Sequence, residues 1–108
     1  MIELVGLDEV KAHCRIDGDE SDDDLAGKIR AASAAIIRYC QGSRDAIVDK
    51  NGELIDGEAL CLAQEATLRL VGRLYRDPDG RDTADLSRGE LPNDVTMLIY
   101  DLRRPTII

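Results

Sequence analysis

The 108-residue sequence contains no Trp and no Phe, and its only aromatic side chains are three Tyr. A hydrophobic core must therefore be built from Leu, Ile, Val and Ala rather than from large rings. No stretch approaches the roughly 20 consecutive apolar residues that a membrane-spanning helix requires. Because 44% of the residues are apolar, we expect an ordered chain despite its many charges. The length predicts one domain, residues 1–108.

Basic residues are scarce. The chain has 22 acidic and 14 basic residues, a net charge of −8, and nine of the acids fall within residues 1–24. Affinity for nucleic acid comes mainly from Lys and Arg that displace counterions from phosphates. This balance therefore argues against a nucleic-acid-binding function.

The sequence also lacks the usual signatures of catalysis and cofactor binding. It contains no GxxxxGK, GxGxxG, HExxH or paired CxxC motif, and His13 is its single histidine. The three cysteines, Cys14, Cys40 and Cys61, are widely spaced in apolar surroundings, which favours reduced core thiols over disulfides or a zinc site. We predict that the protein is not an enzyme and holds no cofactor.

A calcium loop is the one metal site that the spacing suggests. Oxygen-bearing side chains occupy positions 1, 3, 5 and 7 of an EF-hand pattern, namely Asp17, Asp19, Ser21 and Asp23. However, Asp22 stands where the loop needs Gly, and Lys28 stands where it needs a bidentate Glu. We therefore predict no metal site and interpret the segment as a solvated acidic helix start or an acidic interface rim.

Hydrophobic periodicity predicts an all-α fold, a small bundle of about four helices. The first predicted helix begins at Leu7, and the second runs from about Asp22 to Gln41. The third runs from about Gly57 to Arg76, and the fourth begins at Pro92. Between the second and third helices, an Asn-Gly pair lies between short apolar runs, which predicts a small β-hairpin. Residues 77–90 hold turn formers without periodicity and predict a mobile loop, and residues 103–108 predict an extended C-terminal tail.

Two surfaces predict contact between copies of the chain. The back of the second helix is small and apolar at Ala34 and Ile37, although the domain has few elements to cover it. The third helix carries an arginine stripe opposite its core face, and the N-terminal region carries acids. We therefore predict a head-to-tail subunit interface formed by Asp19, Asp22, Asp23, Ala34, Ile37, Arg69, Arg73 and Arg76.

The C-terminal end predicts a second docking surface, for another protein. The last helix directs Val95, Leu98, Ile99 and Leu102 toward the core, which leaves Met97 and Tyr100 outward. Tyr and Arg are frequent interface anchors, and an apolar tail can add to the edge of a partner's sheet. The predicted docking residues are Met97, Tyr100, Arg103, Arg104, Ile107 and Ile108.

Three segments resemble the head-tail connector (adaptor, head-completion) family of long-tailed bacteriophages. Residues 7–17 and the acidic run into Leu25 are similar to the family's opening L-x-E-x-K-x-x-L-R-I-D, with Cys14 in place of its usual Leu. Residues 71–77 are similar to its h-LY-x-x-R helix end, although the Arg is absent or shifted to Arg76. Residues 91–105 are similar to its LP-x-x-V-x-x-L-I-x-x-[YL]-R-x-P ending.

The resemblance implies a structural virion protein at the head-tail junction. Members of the family form a ring of about a dozen copies, with the portal protein above and a stopper or tail-completion protein below. DNA passes through the ring without sequence-specific binding, and the C-terminal docking surface would face the portal. Residues 1–5 lack the features of a signal peptide, so we expect synthesis in the cytoplasm of the bacterial host.

A different class of function also fits the sequence. Small acidic helical domains commonly act as protein-binding adaptors or regulators, and such a protein would work as a monomer or dimer. The oligomeric state separates this alternative from the ring.

Overall fold

The computed structural model describes residues 2–76 and 91–102. These residues contain five α-helices, which confirms the predicted all-α class. Single 3₁₀ turns follow the second and fifth helices, at Gln41–Ser43 and Tyr100–Leu102. The α-helices are α1 (Leu7–Cys14), α2 (Asp22–Tyr39), α3 (Arg44–Ile47), α4 (Glu58–Arg76) and α5 (Asn93–Ile99).

Local chemistry sets the limits of α1. The Glu9 carboxylate accepts a 3.0 Å hydrogen bond from the Gly6 N–H, so one backbone donor at the start of the helix is satisfied. The helix ends at Cys14, and the next residue, Arg15, has a φ of 57°, in the left-handed region. This conformation turns the chain out of the helix and toward the acidic segment.

The core lies between the two long helices, and the shorter elements close it. Helix α2 packs against α4, and α4 also contacts α1, α3 and α5. Helix α2 contributes apolar side chains at helical spacing to this core, and α5 adds Val95 and Ile99. The buried apolar residues of α2 and its end are Leu25, Ile29, Ala32, Ile36 and Cys40.

The N-terminal segment before α1 is held across the two long helices. Leu4 and Val5 are buried, and the Leu4 N–H donates a 3.0 Å hydrogen bond to Ser33 Oγ of α2. Gln64 Nε2 of α4 donates a 3.0 Å hydrogen bond to the Leu4 carbonyl. Both polar groups of the Leu4 backbone are thus satisfied by side chains, which buried backbone requires.

The predicted β-hairpin is wrong. The described residues contain no strand, and a single antiparallel bridge joins Val48 to Leu54. The turn does form, because the Asp49 carboxylate accepts hydrogen bonds from the Asn51 and Glu53 N–H groups. The flanking strands do not, because residues 44–47 form α3 and leave too little extended chain before the turn for a ladder.

Two other predictions lie outside the described residues. These are the mobile loop at 77–90 and the extended tail at 103–108. Within the described ranges, no helix combines the length and apolar character needed to cross a membrane.

Candidate interaction surfaces

The predicted subunit-interface residues Ala34 and Ile37 lie together in a surface groove of about 400 Å³. Ile2 contributes a third apolar side chain, and the rim carries Arg38, Gln41 and Arg44. Both arginines are exposed, and neither forms an ion pair with another described residue. We call this surface, lined by Ile2, Ala34, Ile37, Arg38, Gln41 and Arg44, the basic groove.

The arginine stripe of α4 is engaged largely within the subunit. Arg73 Nη2 lies 2.6 Å from Asp94 Oδ1 of α5. Arg69 Nε lies 3.4 Å from Glu65 Oε2, and Arg69 Nη1 donates to the Asp94 carbonyl at 3.4 Å. Arg76 is exposed and makes no ion pair with the rest of the described chain. Two of the three arginines therefore fix α5 and α4 in place.

The acidic segment is partly neutralised by one lysine. Lys11 Nζ lies 2.7 Å from Asp22 Oδ1 and 3.6 Å from Asp19 Oδ1. The hydrogen bond that Lys11 donates to the Asp22 carboxylate raises the pKa of Lys11 above its usual value. Asp23 is exposed, and no described residue pairs with it. No ion pair in the described part of the chain joins the acidic segment to the arginine stripe, so the subunit itself does not bring these two predicted surfaces together.

The C-terminal helix exposes the two side chains that the sequence predicted. Met97 and Tyr100 are each 67% exposed, whereas Val95 and Ile99 are fully buried. One exposed apolar side chain is common on a protein surface, but two exposed neighbours on the same face indicate an interaction site. The other predicted docking residues, Arg103, Arg104, Ile107 and Ile108, lie outside the described ranges.

A second surface groove, of about 500 Å³, was not predicted from the sequence. Three exposed carboxylates line it, from Asp45, Glu58 and Asp101, and none of them pairs with a described basic residue. The residues that line it come from three distant parts of the chain, so no residue spacing in the sequence predicts this groove. We call this surface the acidic groove; it is lined by Gly42, Ser43, Asp45, Ala46, Glu58, Ala59, Leu62, Asp101 and Leu102.

The thiols have three different environments. Cys40 is buried, and burial raises its pKa from 9.0 to about 11. Cys14 is partly buried and Cys61 is exposed, so the prediction of core packing is wrong for Cys61, which faces outward on α4. All three are free thiols, and no described group of three His, Cys, Asp or Glu side chains is arranged to hold a metal ion.

These features define a helical protein whose two grooves and exposed Met97 and Tyr100 are suited to contact with other proteins. The chain matches the family model described as phage gp6-like head-tail connector protein over residues 5–103, and it belongs to that family. This confirms the resemblance carried by the three sequence segments. The family consists of structural components of the virion head-tail junction, not enzymes. Comparison with curated proteins and with solved structures finds no significant match in either.

Proposed function

We propose that this protein assembles into a ring between the portal and the tail-completion proteins and leaves a passage for DNA. Membership of the connector family supports the virion location. The observation that carries the assembly step is the apolar surface that the exposed Ala34 and the half-buried Ile37 form in the basic groove. An apolar helix face that its own domain leaves open is a typical site of association.

The subunit contact combines this apolar surface with charge. Asp23 and Ala34 are eleven residues apart, about three helical turns, so both belong to the outer face of α2. In the proposed ring, the acidic segment of one copy faces the arginine stripe of the next. Of the predicted interface residues, Asp23 and Arg76 are the charged ones without an ion pair among the described residues. Exposed ion pairs contribute about 0–1 kcal/mol each, so charge sets the register and apolar contact supplies most of the affinity.

The C-terminal end supplies the contact with the portal. Met97 and Tyr100 offer two exposed anchors on α5 and the turn after it. Residues 103–108 follow them in the sequence and contain two arginines and two isoleucines. In this arrangement the basic groove remains available for neighbouring connector subunits.

DNA passes through the ring without being held by it. The net charge of −8 disfavours tight contact with phosphates, because the counterion-release contribution of Lys and Arg is small. A ring of acidic subunits thus permits movement of the duplex in either direction.

Assembly is tested by light scattering coupled to size exclusion across protein concentrations, with and without portal protein, and by negative-stain imaging of the same samples. We expect ring-shaped particles that add to the portal. Ala34→Glu should abolish them, whereas Ala12→Glu, the same change at an exposed position of α1, should not. A protein that stays monomeric or dimeric under all these conditions is instead a small protein-binding adaptor or regulator.

A further inference from the structure

We infer that Arg38 and Arg44 of one copy enter the acidic groove of a second copy. This inference rests on the proposed ring and deepens it, because it names the surface that covers the basic groove. The occupant is therefore another molecule of this chain.

The acidic groove has the properties of a receptor for guanidinium groups. Its three carboxylates come from α3, the start of α4 and the turn after α5, and the described residues that line it include no basic side chain. Carboxylates that share a groove repel one another until a cation lies between them. The remaining lining includes Ala59, Leu62 and Leu102, which suits the methylene stem of an arginine while its charged end meets the carboxylates.

The basic groove supplies matching groups. Arg38 and Arg44 are exposed and form no ion pair with described residues, in contrast to Arg69 and Arg73, which bind Glu65 and Asp94. Planar guanidinium groups pair with carboxylates through two parallel hydrogen bonds. The same contact would bring the apolar side chains of Ala34 and Ile37 against the neighbour, so one docking event satisfies both charge and apolar surface.

The two grooves share no lining residue. When two copies pair through one such contact, one copy keeps an uncovered basic groove and the other keeps an uncovered acidic groove. Repetition of such a contact from copy to copy produces a closed ring or an open filament. The pairing of these grooves is therefore compatible with a ring of many copies.

Charge reversal on each side tests the inference. The first variant carries Arg38→Glu and Arg44→Glu, and the second carries Asp45→Arg and Glu58→Arg. All four positions are exposed, and circular dichroism checks that each variant stays folded. The control, Arg15→Glu with Lys50→Glu, makes the same charge change as the first variant at exposed positions outside both grooves. Assembly is measured by sedimentation velocity, with and without portal protein.

Each reversed variant alone should assemble at least tenfold more weakly than the wild type, and the control should assemble normally. An equimolar mixture of the two variants should recover assembly, because each altered surface then meets its altered complement. Wild-type-like assembly of either reversed variant, or failure of the mixture of folded variants to recover, overturns the inference and leaves the proposed ring intact. A wild-type protein that never assembles overturns both. If a reversed variant unfolds, Arg38→Gln with Arg44→Gln, and Asp45→Asn with Glu58→Gln, provide the same comparison, with weakened assembly expected of each.

Discussion

The guanidinium of Arg73 on α4 donates a hydrogen bond from Nη2 to Asp94 Oδ1 on α5 over 2.6 Å. The two residues are 21 positions apart in sequence, and residues 77–90 between them lie outside the described part of the chain. The contact fixes the helix that carries Met97 and Tyr100 to the long helix at the centre of the fold. Arg73 Nε is buried and has no hydrogen-bond partner among the described residues, and within that part of the chain Asp94 is the carboxylate that pairs with this charge.

Removing that carboxylate should loosen α5. Asp94→Ala should lower the free energy of unfolding by about 1 kcal/mol, because the pair is only partly exposed and the arginine would be left without its carboxylate. The measurement is urea denaturation at low and at high salt, and the loss should shrink at high salt. Asp17→Ala, at an exposed position without an ion pair, should stay within about 0.5 kcal/mol of the wild type. Equal stability of the two variants would contradict a role for the Arg73 contact.

The hydrogen bond from the Leu4 N–H to Ser33 Oγ should contribute more than an exposed one. Both residues are buried, so Ser33→Ala leaves a buried donor without a partner and should cost about 1–3 kcal/mol. Ser21→Ala is the matched control, because Ser21 caps α2 without a side-chain hydrogen bond. Thermal and urea denaturation of both variants provide the comparison. A Ser33→Ala loss no larger than that of Ser21→Ala would show that the N-terminal segment is not held by this contact.

Gly72 is buried where α4 passes α1, and two substitutions should act in opposite directions. A Cβ at this position would lie 3.6 Å from Cys14 Sγ, an ordinary contact distance. Gly72→Ala should therefore fit and stabilise the helix by up to about 1 kcal/mol. Gly72→Leu should overpack the contact with α1 and cost about 1–3 kcal/mol. Denaturation curves measure both, and a tolerated Leu would show that α1 moves away easily.

The buried thiol of Cys40 should make stability fall in alkaline solution. Its pKa is about 11 in the folded protein against an ordinary 9.0, so between pH 9 and 11 only the unfolded chain loses this proton. The free energy of unfolding should fall by up to about 2–3 kcal/mol over that range from this residue. Cys40→Ala should remove that part of the slope, whereas Cys61→Ala, at an exposed thiol, should leave it unchanged. Identical slopes in the wild type and Cys40→Ala would refute the assignment.

Deletion of residues 103–108 should separate folding from portal binding. The buried anchors of the last helix, Val95 and Ile99, precede the deletion, so the helical content by circular dichroism should be retained. Binding to portal protein, measured by biolayer interferometry, should be lost. A double substitution, Met97→Ser with Tyr100→Ser, tests the exposed part of the same surface and should weaken binding. Unchanged portal affinity in the deletion would place the docking surface elsewhere, and loss of folding would show that the tail belongs to the core.

The sequence by itself determined the family and every α-helix of the described residues except α3. Apolar residues at helical spacing marked the inner face of α2, and the same pattern on α5 distinguished the buried Val95 and Ile99 from the exposed Met97 and Tyr100. These features are local, because a helix repeats every 3.6 residues and its period is written into neighbouring positions. The connector motifs were also contiguous segments, which is why the resemblance was visible without a structure.

Only the tertiary structure decided which charged residues pair and whether the predicted hairpin forms. The arginine stripe was visible in the sequence, but its partner Asp94 is distant along the chain, so periodicity left Arg73 on an apparently free face. The Asn-Gly turn formed as expected, yet the helical turn at 44–47 took the residues that a hairpin would have needed. The acidic groove joins Asp45, Glu58 and Asp101, because packing of α3, α4 and the turn after α5 brings together positions that no sequence spacing relates.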